Sequence, residues 1–413
     1  MTMQLFFSNP ESYQRLRAGP LDNDLDGFAA WMAAEGFAPS TGRQKLRLAS
    51  DLSLWLDGCG LALDALDERR VEEFLRALDP QRRRNSDAAT GRQLLAHLRQ
   101  HGRVPAATAV PHPEGQSEQI QRAYERFLVN ERGVCRSTAC GYVSLVGTFL
   151  AERFGAEDIE LKSLSARDAN QFILRHAQAW SHSRCRQAVT ALRGFLRRLY
   201  QREEIPADLA KAVLPVRNWR LSEPPKSLPA EEVEAILSCC DRSTVAGRRD
   251  HAILLLLARL GLRAGEVVAL TLEDFDWSEG VVSVPGKGPR RELLPLPQEV
   301  GEALAAYLQD GRPHCASRRV FIRRHAPHHG FRSASTVCNV VRQALARAQL
   351  DPPRKGAHLL RHSLATGMLR NGASLAEIGQ ILRHSLPSTT QIYAAVDLEA
   401  LRFVAPVWPG GVA

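Results

Sequence analysis

Six polar side chains stand out in the C-terminal half of the sequence. They are Arg263 in LARLGLRAGEVVAL, Lys287 in PGKGPRR, His358 and Arg361 in HLLRHS, His384 in LRHSLPSTT and Tyr393 in TTQIYAAV. Each has an ordinary use when taken alone. Arg263 could meet carbonyls at a helix C-terminus. Lys287 could be a solvated turn residue, either histidine a structural one, and Tyr393 a half-buried aromatic. As a set they supply many hydrogen-bond donors and almost no negative charge. That combination suits holding a phosphodiester and stabilising the charge that grows on its oxygens. A tyrosine hydroxyl is a competent nucleophile once it can lose its proton. No cluster of Asp and Glu resembles a two-metal nuclease site. The chemistry these residues point to is metal-free covalent attack on the phosphate of DNA.

The elements that must position them follow from periodicity. His358 and Arg361 lie three apart, so on a helix they share a face. The apolar residues that follow them in HLLRHSLATGML would anchor that helix in a core. From about Lys226, SLPAEEVEAILSCC predicts a capped helix and residues 250–262 a buried one. GVVSVPGKGPRRELLPLP predicts two short strands around a Gly- and Pro-bearing turn, with Lys287 at its tip. The rest reads as helix. The fold class expected here is mainly α with a small β-sheet, an α+β domain, preceded by all-α helical-bundle units.

Two Pro-bearing polar stretches, Ala106–Ser117 and one within Val216–Pro229, mark boundaries. The two blocks before residue 216 read as copies of one unit. Gly36, Ser40 and Thr41 fall opposite Gly133, Ser137 and Thr138. Leu63, Leu66 and Phe74 fall opposite Leu161, Leu164 and Phe172, and Val104-Pro105 opposite Ile205-Pro206. Ser40 or Thr41, and Ser137 or Thr138, occupy expected helix N-caps. Such a bundle suits either a DNA clamp or a protein–protein module.

The net charge of +9, carried mostly by arginine, makes nucleic acid the leading partner. The longest apolar run, Ala252–Ala258, is far too short to cross a bilayer, and the N-terminus lacks the pattern of a signal peptide. Eight scattered cysteines without a CxxC pair predict reduced thiols in the cytoplasm. PHCASRRVFIRRHAPHHG lacks metal-ligand spacing and reads as a basic loop near DNA.

GLRAGE, GKGPRRELLPLP, HLLRHSLAT and LRHSLPSTTQIYAAV, in this order, resemble the four boxes of the tyrosine recombinase (phage-type integrase) family. The resemblance spans about Lys226 to Ala400, with all six positions filled. It implies that Tyr393 attacks the scissile phosphate and forms a 3′-phosphotyrosyl link. Arg263 and Arg361 would clamp the non-bridging oxygens, Lys287 would protonate the leaving 5′-oxygen, His358 would assist proton transfer and His384 would bond the phosphate. No metal, ATP or other cofactor is implied. Glu266 and His362 would buttress the site. Double-stranded DNA carrying a specific recombination site is the implied partner. A homo-tetramer would assemble on it, alone or with a sister recombinase. Residues 226–413 would be the catalytic domain, 117–215 the family's core-binding domain and 1–110 an extra, core-binding-like unit. Two departures stand out: Arg383 replaces a usual glycine, adding a DNA contact or altering the turn, and AAVD follows Tyr393 where many relatives have a histidine. The apolar tail Leu398–Gly411 would dock on a neighbouring protomer or pack in cis. A type IB topoisomerase and a non-catalytic DNA-binding accessory protein are the alternative readings.

Overall fold

The computed structural model of the chain describes residues 2–7, 9, 16–106, 115–155, 158–216, 225–286, 291–384 and 386–396. The expectations for Lys287 and for the tail Leu398–Gly411 lie outside the described residues, as does much of both boundary stretches. The chain divides into two compact units, one joining residues 1–107 to 220–413 and the other comprising 108–219. Among the described residues the architecture is mainly helical with one small sheet, as expected from the sequence. Among the described residues, no helix is long and apolar enough to cross a membrane.

The first two blocks share one order of elements. In the first block, helices α1 (Asp22–Ala34) and α2 (Pro39–Gly58) precede a 3-10 turn at Leu63–Ala65, then α3 (Glu68–Ala77) and α4 (Asp87–Gln100). The second block repeats the order with α5 (Gln116–Arg126), α6 (Arg136–Phe154), a 3-10 turn at Leu161–Ser163, α7 (Ala166–His176) and α8 (His182–Gln201). Gly36 and Gly133 both carry the positive φ that turns the chain between the first two helices. Leu66 and Phe74 are buried in one core, Leu164 and Phe172 in the other. Val104 and Ile205 close the same two cores.

The N-cap expectation is corrected. Helix α2 starts at Pro39 with Ala38 as its cap, and α6 starts at Arg136 with Cys135 as its cap. Ser40, Thr41, Ser137 and Thr138 therefore lie inside the first turns. In α2 the fixed φ of Pro39 opens the helix one residue earlier, at a position where its missing N–H costs nothing.

In the third block the core forms around α10 (Val245–Arg259), preceded by α9 (Ala230–Ser238). Residues 252–258 of α10 are all buried. Helix α9 starts after Pro229 with no side-chain cap, so the cap expected there is absent. Helix α11 (Ala264–Ala269) leads into a three-stranded antiparallel sheet of β1 (Phe275–Asp276), β2 (Val281–Pro285) and β3 (Arg291–Pro295), in that order. Val282 pairs with Leu294 and Val284 with Glu292, which puts Val282, Val284 and Leu294 on the buried face. Helices α12 (Gln298–Asp310), α13 (Ala334–Arg347), α14 (Ala357–Arg370) and α15 (Leu375–Ile381) follow. The short helix α16 (Pro387–Thr390) and a 3-10 turn, Gln391–Val396, end the described chain.

The histidine-bearing loop before α13 packs against the first block. The His328 N–H donates to the Glu35 carbonyl at 3.2 Å, and His329 lies 3.7 Å from the Glu35 carboxylate. All eight cysteines are free thiols.

Candidate active site

The site is assembled from three helix ends and one helix face. Helix α10 stops at Gly261, whose φ of +58° is a left-handed conformation that glycine adopts without strain. A Cβ there would also come within 2.8 Å of a Leu382 methyl and 3.0 Å of a Leu364 methyl. Two residues on, Arg263 is the N-cap of α11. It therefore opens the next helix and does not cap the last one. Glu266, at the third position of α11, accepts from the Arg263 backbone N–H at 2.8 Å and from Nη1 at 2.6 Å. Arg263 Nη2 donates to the Arg383 carbonyl at 3.4 Å. The Arg263 side chain is still 40% exposed, facing an open cleft.

Helix α14 carries His358, Arg361 and His362. Leu359, Leu360 and Ala365 bury its other side, which fixes the polar face. Arg361 is only 3% exposed. Its guanidinium donates to the Gly261 and Leu382 carbonyls, so a buried cation is paired with peptide dipoles. Burial, then the charges of Arg263 and Arg383, bring its pKa down to about 10. His358 faces solvent from the same helix, and the protein around it followed by Arg361 and Arg263 hold its pKa below the usual histidine value.

Helix α15 begins with a capping box between Ser374 and Glu377 and ends in a tight reversal. The Arg383 N–H donates to Gln380 O at 3.0 Å and the His384 N–H to Gly379 O at 2.9 Å. This doubly bonded helix stop delivers His384 to the cleft. His384 Nδ1 lies 2.8 Å from the Thr390 hydroxyl. Burial, with Arg361 and Arg263 next, pushes the His384 pKa down to about 4, so its ring is neutral at neutral pH. The cleft is lined by Arg263, Glu266, Glu292, Arg383, His384 and Thr390 among others.

Tyr393 is 1% exposed and packs with Ala365, Ile378 and Leu382. Its hydroxyl is 2.8 Å from His362 Nδ1. Burial pushes the phenol pKa up to about 12, with Arg361 pulling the other way. His362, half-buried, falls to about 4 through burial and then the neighbouring His358 and Arg361.

Arg263, His358, Arg361, His384 and Tyr393 are thus brought together from four distant stretches of chain. Lys287 lies outside the described residues, beyond the Pro285 end of β2 that borders the cleft. Two contributors were not legible as such. Thr390 is buried beside His384, and its only sequence signal was its place in STT. Arg383 faces Glu266 at 2.6 Å, with its side chain 3% exposed. Arg383 keeps the left-handed helix stop that a glycine would form, with φ +53°, and turns its side chain inward to Glu266.

Residues 226–399 match the phage integrase family. The whole chain is similar to the integrase/recombinase y4rA of Sinorhizobium fredii, 42% identical over 99% of both chains. It is also similar to the tyrosine recombinase XerD of Halalkalibacterium halodurans, 31% identical over 67% of this chain and 93% of that one. Among solved structures, the XerH recombinase in a post-cleavage complex aligns with a TM-score of 0.57 at 19% identity, over 87% of this chain and 96% of that chain. A lambda integrase dimer on a core site aligns at 0.51 and 17%, over 67% and 94%. On the family match over the catalytic block and the likeness to these relatives along the chain, it belongs to the phage integrase family, the tyrosine recombinases, enzymes that break and rejoin DNA.

Proposed function

We propose that the protein recombines DNA at a specific site through a covalent 3′-phosphotyrosyl intermediate, using neither metal nor ATP. The observation that supports this best is the turn Leu382–His384: its carbonyls hold Arg361 and Arg263, Arg263 and His384 line the cleft, and Arg361 and Tyr393 are buried behind it, Tyr393 against Leu382. In this reading Arg263 and Arg361 hold the non-bridging oxygens of the scissile phosphate. The Thr390 hydroxyl donates to His384 Nδ1, which leaves the ring proton on Nε2 to bond the phosphate. Tyr393 Oη attacks phosphorus while its proton passes to a base, with His358 assisting. The bond from phosphorus to the 5′-oxygen breaks, and Lys287 gives that oxygen a proton. A 5′-hydroxyl from a second strand reverses the step, so the link conserves the energy of the broken bond. Tyr393 must first leave its bond to His362, since a buried phenol with a pKa near 12 is a poor nucleophile.

In the same reading residues 226–413 are the catalytic domain, 117–215 the core-binding domain and 1–110 an added core-binding-like unit. Residues 115–216 hold 15 Lys and Arg against 11 Asp and Glu, whereas residues 1–106 hold 14 of each. Several arginines of the first block are also paired, Arg99 with Glu68 and Arg103 with Asp24 among them. The charge balance supports the second block as the DNA clamp. Specific double-stranded DNA is the substrate, bound by a tetramer in the cytoplasm. A DNA duplex nicked near the crossover traps covalent product. Wild-type protein in EDTA is expected to trap it and Tyr393→Phe to bind the site without trapping it. Equal trapping by Tyr393→Phe, or a strict requirement for Mg²⁺, would reject the proposal.

A further inference from the structure

Three non-glycine residues among those described have positive φ: Glu203, Gln349 and Arg383. Glu203 and Gln349 leave their side chains in solvent. Arg383, with φ +53°, buries a guanidinium. A helix that stops with one left-handed residue is best served by glycine there, so a side chain at this position is strained. Strain held at a cleft calls for a compensating contact, and the contacts of Arg383 supply one.

Its Nη2 donates to Glu266 Oε2 at 2.6 Å, and its Nε lies 3.8 Å from the Glu292 carboxylate. Glu266 is the same carboxylate that holds Arg263 by backbone and side chain. The Arg383 carbonyl accepts from Arg263, and the preceding carbonyl, of Leu382, accepts from Arg361. One turn therefore presents acceptors to both arginines, and the Arg383 side chain ties that turn to α11. There is also an electrostatic consequence. A carboxylate paired with Arg263 alone would cancel much of the charge meant for the phosphate. With a second guanidinium on Glu266, the carboxylate can orient Arg263 while the cluster stays positive.

We propose that Arg383 is a positioning residue for strand cleavage: through Glu266 and its own carbonyl it fixes Arg263, and its charge keeps the cleft positive without touching DNA. This rests on the phosphotyrosyl reading above. The test is single-turnover cleavage of a nicked site, with site affinity and thermal midpoint measured on the same full-length variants. Arg383→Gly is expected to slow cleavage at least fivefold, with Kd within threefold and a midpoint equal to or above wild type, because glycine suits the turn. Arg383→Lys keeps the charge but lacks the planar fork, and is expected to fall between the two. Glu266→Gln is expected to slow cleavage too, and Arg383→Gly in that background to add less than twofold. Overturning results are Arg383→Gly cleaving within fivefold of wild type, a rate loss matched by a lowered midpoint, or multiplicative losses in the double variant. If wild-type protein traps DNA and Tyr393→Phe does not, any of these defeats the role of Arg383 alone. If wild-type protein traps none, both proposals fall.

Discussion

Gly261→Ala puts the helix-stop argument to a quantitative trial. The native φ of +58° is left-handed, which costs an alanine about 1–2 kcal/mol. The new Cβ would lie 2.8 Å from a Leu382 methyl and 3.0 Å from a Leu364 methyl. Carbon atoms prefer about 3.5–4.0 Å, so both methyls must give way, and overpacking of this kind costs about 1–3 kcal/mol. Loss of glycine's freedom in the unfolded chain returns about 0.4–1 kcal/mol. The net is a destabilisation of about 1–5 kcal/mol, or roughly 2–20 °C in midpoint at about 2–4 °C per kcal/mol for a large domain. The functional effect is separate. The Gly261 carbonyl is one of two that hold Arg361. Under the proposed function, moving that peptide displaces a phosphate-binding donor, and losing one such donor costs about 10²–10³ in rate. Chemical denaturation gives the first number, and single-turnover cleavage well below the transition gives the second. A variant within about 0.5 kcal/mol of wild type that cleaves at the wild-type rate would refute the reasoning.

Acid should weaken the fold through His362 and His384. Both have pKa values lowered to about 4, so between about pH 6.5 and 4 the unfolded chain takes up protons that the fold refuses. Their stabilisation is complete above about pH 6.5 and is lost as pH falls toward 4, on the order of 1–3 kcal/mol for each. A thermal midpoint lower at pH 5 than at pH 7, with a smaller drop in His384→Gln, is the expected result; a flat wild-type profile would count against it. Ser374→Ala removes the capping box of α15 and should cost about 1 kcal/mol, read by denaturant midpoint. Because α15 leads directly into the turn with Arg383 and His384, cleavage should slow as well under the proposed function.

The legible parts of the sequence were those where local chemistry and tertiary need agree. The apolar run at residues 252–258 is buried on all sides, so its composition announced it. The duplicated helical blocks were visible because the same glycines and core leucines recur at matching intervals. Less legible were features set by contacts across long stretches of sequence. Ser40 and Ser137 have cap-like chemistry, but the helices begin just before them. Nothing local says that Arg383 turns inward, because its partner Glu266 is 117 residues away. The short strand β1 is two residues long and owes its form to pairing with β2, so it left no pattern of its own. Likewise the burial of Tyr393 against α14 and α15 could not be read from TTQIYAAV.

The most direct measurement is to digest the trapped protein–DNA product with protease and locate the nucleotide-bearing residue by mass spectrometry. A 3′-phosphate ester on the hydroxyl of Tyr393, with a free 5′-hydroxyl on the other strand end, is the predicted result. An adduct on any other side chain, or a 5′-phosphate linkage, would contradict the account.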